Sequence, residues 1–265
     1  MFSSRRITTL GGSKFQDNFS VEFSGDSTEN NERMATSDTY ASTLAGDWSV
    51  SAWIKPEDGR PAALDKIMGS LNSSNQDYFY VGITTAGKLE TYFKSNGDAM
   101  SETKEGDVVF ADGASDWVHC IWTAKAQTAS TGFTWYYNGA SAGAMASDES
   151  GDTSAVNWAA FATDINPFIS GLNSNGSLNG SFEGNISELA IYNVQLTAND
   201  AATIYNSREA FDHKNWSKAQ NVAGWWRFGD GNENGQGTTI YDLSGNGNNG
   251  TLTNTDAGDI EGDTP

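Results

Sequence analysis

The feature that most restricts this chain is a series of short segments in which apolar and polar residues alternate. In residues 47–56 every second residue from Trp48 to Ile54 is apolar, and Pro56 ends the pattern. A period of two is that of a β-strand with one buried face, and proline lacks the N–H that a further ladder residue needs. Residues 19–23 alternate in the same way. The pattern predicts an all-β protein.

Several more segments carry strand signals. Further strands are predicted at residues 66–70, 77–84, 88–93, 117–123, 132–137, 167–171 and 181–193. Asn138–Gly139 follows one of them and is typical of a two-residue hairpin turn, since both residues tolerate positive φ. Residues 140–165 are expected to form a long polar loop.

The sequence also predicts one helix of about three turns. Thr197 is a capping residue, and Asp200 follows it three positions later, as in a capping box. The residues expected to share a face of this helix are Ala201, Ile204, Tyr205 and Arg208.

Composition favours one folded domain and restricts the classes of binding partner. The 265 residues are 37% hydrophobic and include 13 Phe, 9 Trp and 9 Tyr, which is ample material for a core. With 34 acidic against 15 basic residues the net charge is −19, so nucleic-acid binding is disfavoured. The acidic excess fits either solubility in a salty or crowded environment or carboxylates that hold Ca²⁺. The single cysteine, Cys120, excludes an internal disulfide framework and is expected to be a buried hydrophobe.

The first 18 residues show no strand or helix period and are locally basic. Arg5, Arg6 and Lys14 lie here, and we predict an N-terminal arm over residues 1–18 that serves assembly, with a frayed terminus as the alternative. No export signal is visible, and no window approaches the roughly 18 apolar residues of a membrane span. We therefore expect a protein used in the cytoplasm or built there into a particle.

Four phrases of the sequence form a recognisable set, namely residues 222–231 (Val-Ala-Gly-Trp-Trp-Arg-Phe-Gly-Asp-Gly), 241–252 (Tyr-Asp-Leu-Ser-Gly-Asn-Gly-Asn-Asn-Gly-Thr-Leu), 47–56 and 181–193. Together they resemble the LamG-like branch of the concanavalin A-like lectin/glucanase superfamily. In the last, Ser187 replaces the aspartate usual in the family. The resemblance implies a jelly-roll sandwich of two antiparallel sheets with one short helix.

The order of these phrases differs from that of many relatives, because the phrases of residues 222–252 come last here. Either the chain is circularly rearranged, or residues 221–265 begin a second, truncated unit. Rearrangement is favoured because about 45 residues cannot bury a sandwich core alone. We therefore expect residues 19–265 to form one domain.

Glycoside hydrolysis is disfavoured by the spacing of carboxylates. Glucanases of the superfamily carry a Glu-x-Asp-x-(x)-Glu strand, in which alternation places the acids on one face. The comparable stretch here is residues 183–188, where Glu183 and Glu188 are five apart and so point to opposite faces. His119 and His213 lie in no hydrolase motif. The sequence predicts no catalytic residues.

Loop carboxylates and carbonyls of many LamG-like relatives hold Ca²⁺ at the rim of the sandwich. The corresponding candidates here, by type and position in turns, are Asp26, Asp230, Asp242, Ser244 and Asn246. The alternative is that these residues simply form the turns in which they occur.

Sugar binding is the third class of function considered. Lectin sites pair an aromatic platform with amide and carboxylate hydrogen bonds, and the region of the long loop offers such groups. The candidates are Trp158 with Asn157, Asn173, Asn175 and Asn179. Core or loop packing of Trp158 is the alternative.

The start Met-Phe-Ser-Ser-Arg-Arg, the late Trp-Trp-Arg-Phe-Gly-Asp-Gly phrase and the missing export signal resemble LamG-like structural proteins of marine tailed phages. This implies a non-enzymatic virion protein, a capsid decoration or fibre component, present in many copies beside capsid or other virion proteins and able to bind cell-surface glycans. The alternatives are a cellular carbohydrate-binding or adhesion module and, more remotely, a glycan-active enzyme.

Overall fold

The fold is taken from a computed structural model of the chain. The structure describes residues 15–24, 31–74, 76–95, 98–99, 104–126, 132–144, 158–231, 237–256 and 258–265. Five residues to which the sequence analysis gave a role lie outside these ranges, namely Arg5, Arg6, Lys14, Asp26 and Asn157.

Strands make up most of the described chain. In chain order they are β1 (Ser20–Ser24), β2 (Arg33–Ala35), β3 (Trp48–Pro56), β4 (Asp65–Leu71), β5 (Tyr78–Ile83), β6 (Lys88–Ser95), β7 (Asp98–Ala99), β8 (Lys104–Val108), β9 (Val118–Ala124), β10 (Phe133–Tyr137), β11 (Ala140–Ala144), β12 (Phe168–Ile169), β13 (Leu172–Ser174), β14 (Ser177–Asn179), β15 (Glu183–Tyr192), β16 (Val222–Trp226), β17 (Phe228–Gly231), β18 (Thr239–Ile240), β19 (Gly250–Thr253) and β20 (Ile260–Glu261). The helices are α1 (Ala41–Leu44) and α2 (Ala198–Tyr205), with 3₁₀ turns at Trp158–Ala160, Asn206–Arg208 and Ala219–Asn221.

These strands form two sheets. The first has the order β11-β10-β9-β3-β15-β1-β20, and β16 also pairs with β15. The second has the order β18-β19-β2-β12-β4-β5-β6-β7, with β8, β13 and β14 attached. The pairings are antiparallel except that of β13 with β4. The predicted sandwich of two antiparallel sheets is confirmed.

The core lies between the sheets and is filled by the alternating residues that the sequence indicated. Trp48, Val50, Ala52 and Ile54 of β3 all belong to it, as do Phe79 and Phe93 of the second sheet. Trp48 packs edge-on against Phe79 with ring centroids 5.1 Å apart. Cys120 is fully buried in the same cluster, as expected.

Strands of the C-terminal segment, residues 221–265, join both sheets. β16 pairs with β15 and β20 pairs with β1 in the first sheet, whereas β19 pairs with β2 in the second. The described strands of this segment therefore pair with strands from the rest of the chain, and that it belongs to one domain stays a prediction. Along one edge of β15, β1 takes residues 183–186 and β16 takes residues 189–192.

The helix α2 is shorter than predicted. The capping box is present, because the side chain of Thr197 accepts from the Asp200 N–H and that of Asp200 accepts from the Thr197 N–H. The helix ends after two turns, where Asn206 takes a left-handed φ of 47°. Arg208 therefore lies outside the helix. A left-handed residue at this position satisfies the free carbonyls of the last turn and stops propagation.

A second apolar cluster covers the outer side of the first sheet. Ile121, Tyr136, Ala190 and Tyr192 of that sheet pack there against Ala201 and Ile204 of α2 and against Trp225. The segment after the helix adds Phe211 and Trp216. The first sheet is thus covered on both sides where these residues lie.

Candidate functional site

The outer side of the second sheet carries a run of tyrosines where β5 and β6 are paired. Phe79 and Val81 of β5 point into the core, so Tyr78 and Tyr80 point outward. Tyr92 of β6 lies directly opposite Tyr80 in the register. Alternation thus places three aromatic rings on one patch.

The three rings are in mutual contact. Tyr80 and Tyr92 are nearly parallel, at an interplanar angle of 8° and a centroid distance of 5.6 Å. Tyr78 lies 4.6 Å from Tyr92 and 5.4 Å from Tyr80. Tyr78 and Tyr92 are half-buried and so partly exposed to solvent, whereas Tyr80 is buried.

Polar side chains surround this trio. The hydroxyl of Tyr80 donates to Oε1 of Glu90 over 2.5 Å, and the Glu90 side chain is almost fully buried. Nζ of Lys66 lies 5.4 Å from the Tyr80 ring centroid and donates to Oδ1 of Asn179 over 2.9 Å. We call the set Lys66, Tyr78, Tyr80, Glu90, Tyr92 and Asn179 the tyrosine face.

Burial shifts the titration of this face toward neutral forms. Desolvation raises the pKa of the Glu90 carboxyl and lowers that of the Lys66 ammonium. Desolvation also raises the pKa of Tyr78 to about 12. The tyrosines stay protonated at neutral pH, so their hydroxyls remain donors.

The tyrosine face was missed by the sequence analysis, which sought an aromatic platform in the long loop instead. Its signal was present, since residues 78, 80 and 92 are all Tyr and lie at outward positions of predicted strands. An inward or an outward register explains alternation equally well until the partner strands are known.

Trp158 requires a correction, because it is not a sugar platform. It is 4% exposed and stacks on Phe93 with centroids 4.3 Å apart, so the indole belongs to the core. The alternative of packing was the right one.

The asparagines of the β13–β14 hairpin have different roles from one another. Asn173 is buried, accepts from the Gly176 N–H and donates to the Asn166 carbonyl, so its amide holds the turn. Asn175 is exposed in that turn with a φ of 51°. Asn179, by contrast, belongs to the tyrosine face through Lys66.

The loop proposed to bind Ca²⁺ is held by its own hydrogen bonds. The Asp242 carboxylate accepts from the N–H groups of Trp225, Ser244 and Asn248 and from the Ser244 hydroxyl, at 2.8–3.0 Å. The Asn246 amide donates to two main-chain carbonyls. The structure brings Asp242, Ser244 and Asn246 together, but as a turn stabilised by an aspartate.

Asp230 lies elsewhere, in an ionic cluster around Arg227. The Arg227 guanidinium lies 2.6 Å from Glu188, 2.9 Å from Asp230 and 3.7 Å from Asp17. Within the described ranges, no group of three or more His, Cys, Asp or Glu side chains is arranged to hold a metal ion. Calcium binding stays a prediction.

The end of the predicted arm is part of this cluster. Phe15 lies under Arg227 at 4.3 Å, and the Arg227 guanidinium donates to the Gln16 carbonyl. Asn18 donates to both oxygens of Asp230. Residues 15–18 therefore pack on the sandwich, and the arm boundary at residue 18 is too late.

Glu183 and Glu188 do not form a pair of catalytic acids. Glu183 is exposed, whereas Glu188 is buried and accepts from Nε of Arg227 and from Nε1 of Trp225. Glu188 also has a φ of 49°, at the register shift of β15 that alternation could not show.

Both histidines have a structural role, because each is buried and hydrogen-bonded to a neighbouring hydroxyl. His119 is hydrogen-bonded to the buried Ser51 hydroxyl at 2.8 Å, and His213 to the Tyr192 hydroxyl at 2.5 Å. Desolvation lowers the pKa of each to about 3, so both imidazoles are neutral at pH 7.

Comparison with known proteins agrees with this architecture. A family model described as the concanavalin A-like lectin/glucanases superfamily matches residues 28–202. The chain belongs to that superfamily. A search of curated proteins finds no match. No helix in the described part of the chain is both long and apolar enough to cross a membrane.

Solved structures share the fold at low identity. A putative carbohydrate binding protein from Bacteroides ovatus is 17% identical with a TM-score of 0.61, over 94% of this chain and 60% of that one. The CBM40 of the Ruminococcus gnavus IT-sialidase, bound to α2,3-sialyllactose, is 16% identical with a TM-score of 0.53, over 70% and 96%. A heptameric SAP-like pentraxin from Limulus polyphemus is 17% identical with a TM-score of 0.51, over 71% and 82%. The chain thus spans 60% of the Bacteroides protein.

Proposed function

We propose that this chain is a non-catalytic carbohydrate-binding domain and that the tyrosine face is its binding site. The observation that carries the proposal is the contact between Tyr78, Tyr80 and Tyr92 on the outer side of a sheet, with charged and amide groups beside them. The carbohydrate-binding domains among its structural neighbours agree with a lectin-like role.

The chemistry of the face suits a pyranose ring. A sugar has an apolar side of C–H groups, which packs against an aromatic ring, and an edge of hydroxyls, which needs hydrogen-bonding partners. Tyr78 and Tyr92 are partly exposed aromatic residues, while Glu90 and Asn179 offer acceptors near them. Both halves of the interaction are present within one patch.

Removal of one ring tests the proposal. Tyr92→Ala should weaken binding to a polysaccharide from a broad panel by about tenfold, as expected from ~1.4 kcal/mol for one aromatic contact. The matched control is Tyr241→Ala, which removes a 43% exposed tyrosine beside β18. Four strands separate β18 from β5, a distance of about 24 Å at ~4.8 Å per strand.

Affinity electrophoresis of the purified domain measures these affinities. Equal binding by the wild type and Tyr92→Ala, or no binding by the wild type to any polysaccharide of the panel, would refute the proposal. Sugar release that disappears in Glu90→Gln would contradict its non-catalytic part.

The role as a virion surface protein stays a prediction, as does its assembly through an arm with Arg5, Arg6 and Lys14. A carbohydrate-binding domain serves a virion or a cell equally well. The fold and the tyrosine face therefore favour neither setting.

A further inference from the structure

Lys66 is a buried cation whose direct contacts are uncharged, although the charge of Glu90 acts on it from beyond ion-pair distance. It is 7% exposed, and its ammonium makes one hydrogen bond, to the Asn179 amide, and lies over the Tyr80 ring. Among the residues that the structure describes, no carboxylate lies within ion-pair distance of it. An ammonium has three donors, so two remain for a ligand.

We propose that Lys66 is an anchor for an anionic group and that the tyrosine face selects acidic sugars, carboxylated or sulfated, over neutral ones. This inference rests on the proposed function and names the ligand class of the same site. Asn179 positions the ammonium from the exposed side, where a ligand approaches.

The buried position of Lys66 carries a desolvation cost. A charge removed from water requires a partner, and buried lysines are usually paired with a carboxylate. This chain has 34 acidic residues against 15 basic ones, so an unpaired buried lysine is conspicuous. Lys88 of β6, by comparison, is paired with Glu105 at 2.8 Å. The anion that Lys66 lacks is supplied by a ligand.

The pKa of Lys66 is lowered because desolvation outweighs the opposite effect of the Glu90 charge. An arriving carboxylate or sulfate restores the charged form and forms a charge-assisted hydrogen bond. The overall charge of −19 does not prevent this, since carboxylates farther away than about 8 Å are largely screened at physiological ionic strength.

Glu90 marks the other side of the ligand. Its Oε1 accepts from the Tyr80 hydroxyl, and no ion pair joins it to Lys66 within the described residues. A carboxylate there accepts hydrogen bonds from hydroxyl groups and repels a second anion. The face therefore fits a sugar with an acidic group at the Lys66 end and free hydroxyls at the Glu90 end.

Two substitutions remove the anchor by different routes. Lys66→Met keeps the length of the side chain and deletes its charge, whereas Asn179→Asp leaves Lys66 in place and pairs it with a carboxylate at an exposed position. The matched control is Lys214→Gln, which deletes a lysine exposed on the segment that covers the first sheet. Thermal unfolding of each variant establishes that it is folded.

The measurement compares polygalacturonate and dextran sulfate with neutral dextran and a neutral β-glucan by affinity electrophoresis. We expect the wild type to prefer one acidic polymer over the neutral ones, and both variants to reduce that preference about tenfold or more, the loss expected for a charge-assisted hydrogen bond. Lys214→Gln should behave as the wild type. The two acidic polymers distinguish a carboxylate ligand from a sulfate ligand.

The outcomes separate the two proposals. Binding of neutral polymers as tight as that of acidic ones, lost in Tyr92→Ala, refutes the anchor and supports the binding face. An acidic preference that survives in folded Lys66→Met and Asn179→Asp also refutes the anchor. Failure of the wild type to bind any polymer refutes the proposed function itself.

Discussion

Asp17→Asn should be more stable than the wild type by a margin that grows as the pH rises, because the substitution removes a carboxyl group that the fold keeps protonated. The Asp17 side chain is 5% exposed and lies farthest of three carboxylates from Arg227. Desolvation, followed by repulsion from Glu188, raises its pKa from 3.8 to about 9. One guanidinium cannot neutralise three buried carboxylates, so a proton is retained at the least favoured one.

The direction and the magnitude of this change in the free energy of unfolding follow from proton linkage. Between pH 4 and pH 9 the folded state holds a proton on Asp17 that the unfolded state has lost, so the wild type loses stability as the pH rises. Each pH unit in this window changes the free energy of unfolding by about 1.4 kcal/mol. From pH 6 to pH 8 the variant should therefore gain at most about 3 kcal/mol relative to the wild type, since Glu188, whose pKa is raised to about 7, titrates in both proteins. His213 stays neutral throughout, because burial lowers its pKa to about 3.

Urea unfolding at pH 6, 7 and 8 measures this difference. Asp116→Asn is the control, since hydrogen bonds from Arg208 and from the Trp117 N–H lower the pKa of this exposed carboxylate, and its removal gives no gain at pH 8. Parallel pH dependence of the wild type and Asp17→Asn would show that Asp17 titrates normally, and the reading of the cluster would be wrong.

Two further predictions concern residues that the sequence analysis selected. Trp158→Ala should lower the free energy of unfolding by about 3–5 kcal/mol, because it empties a core position beside Phe93, yet leave sugar affinity unchanged in the electrophoresis assay. If Asp242, Ser244 and Asn246 hold Ca²⁺, millimolar calcium should raise the melting temperature above that in excess chelator, and identical curves would reject the site.

Most of the fold could be predicted because its signals are local. Alternation in β3 reflects one buried face, Pro56 ends that strand, and Thr197 with Asp200 marks the start of α2. The end of α2 was less certain, since a left-handed residue such as Asn206 depends on the packing of the next segment. The predicted start of α2 is therefore right, whereas its predicted length is wrong.

The candidate site could not be predicted because its members meet through pairing between distant segments. Lys66 and Asn179 are 113 residues apart in sequence and 2.9 Å apart in space. Tyr80 and Tyr92 face each other only in the register that β5 and β6 adopt. The prediction for Trp158 was wrong for a related reason. The residue lies in a predicted loop, and its stacking on Phe93 is a tertiary contact that the sequence does not show.

The ionic cluster around Arg227 and the tyrosine face lie on opposite sides of the sandwich and have different roles. At the seam where β1 and β16 share an edge of β15, Arg227 and residues 15–18 close the gap that two separate strands leave in the ladder. The left-handed turn at Glu188 directs its carboxylate to that guanidinium. The charged groups there contact one another, so the seam serves stability. At the tyrosine face Lys66 makes no ion-pair contact with a described residue, so substitutions at the seam should change unfolding and those at the face should change binding.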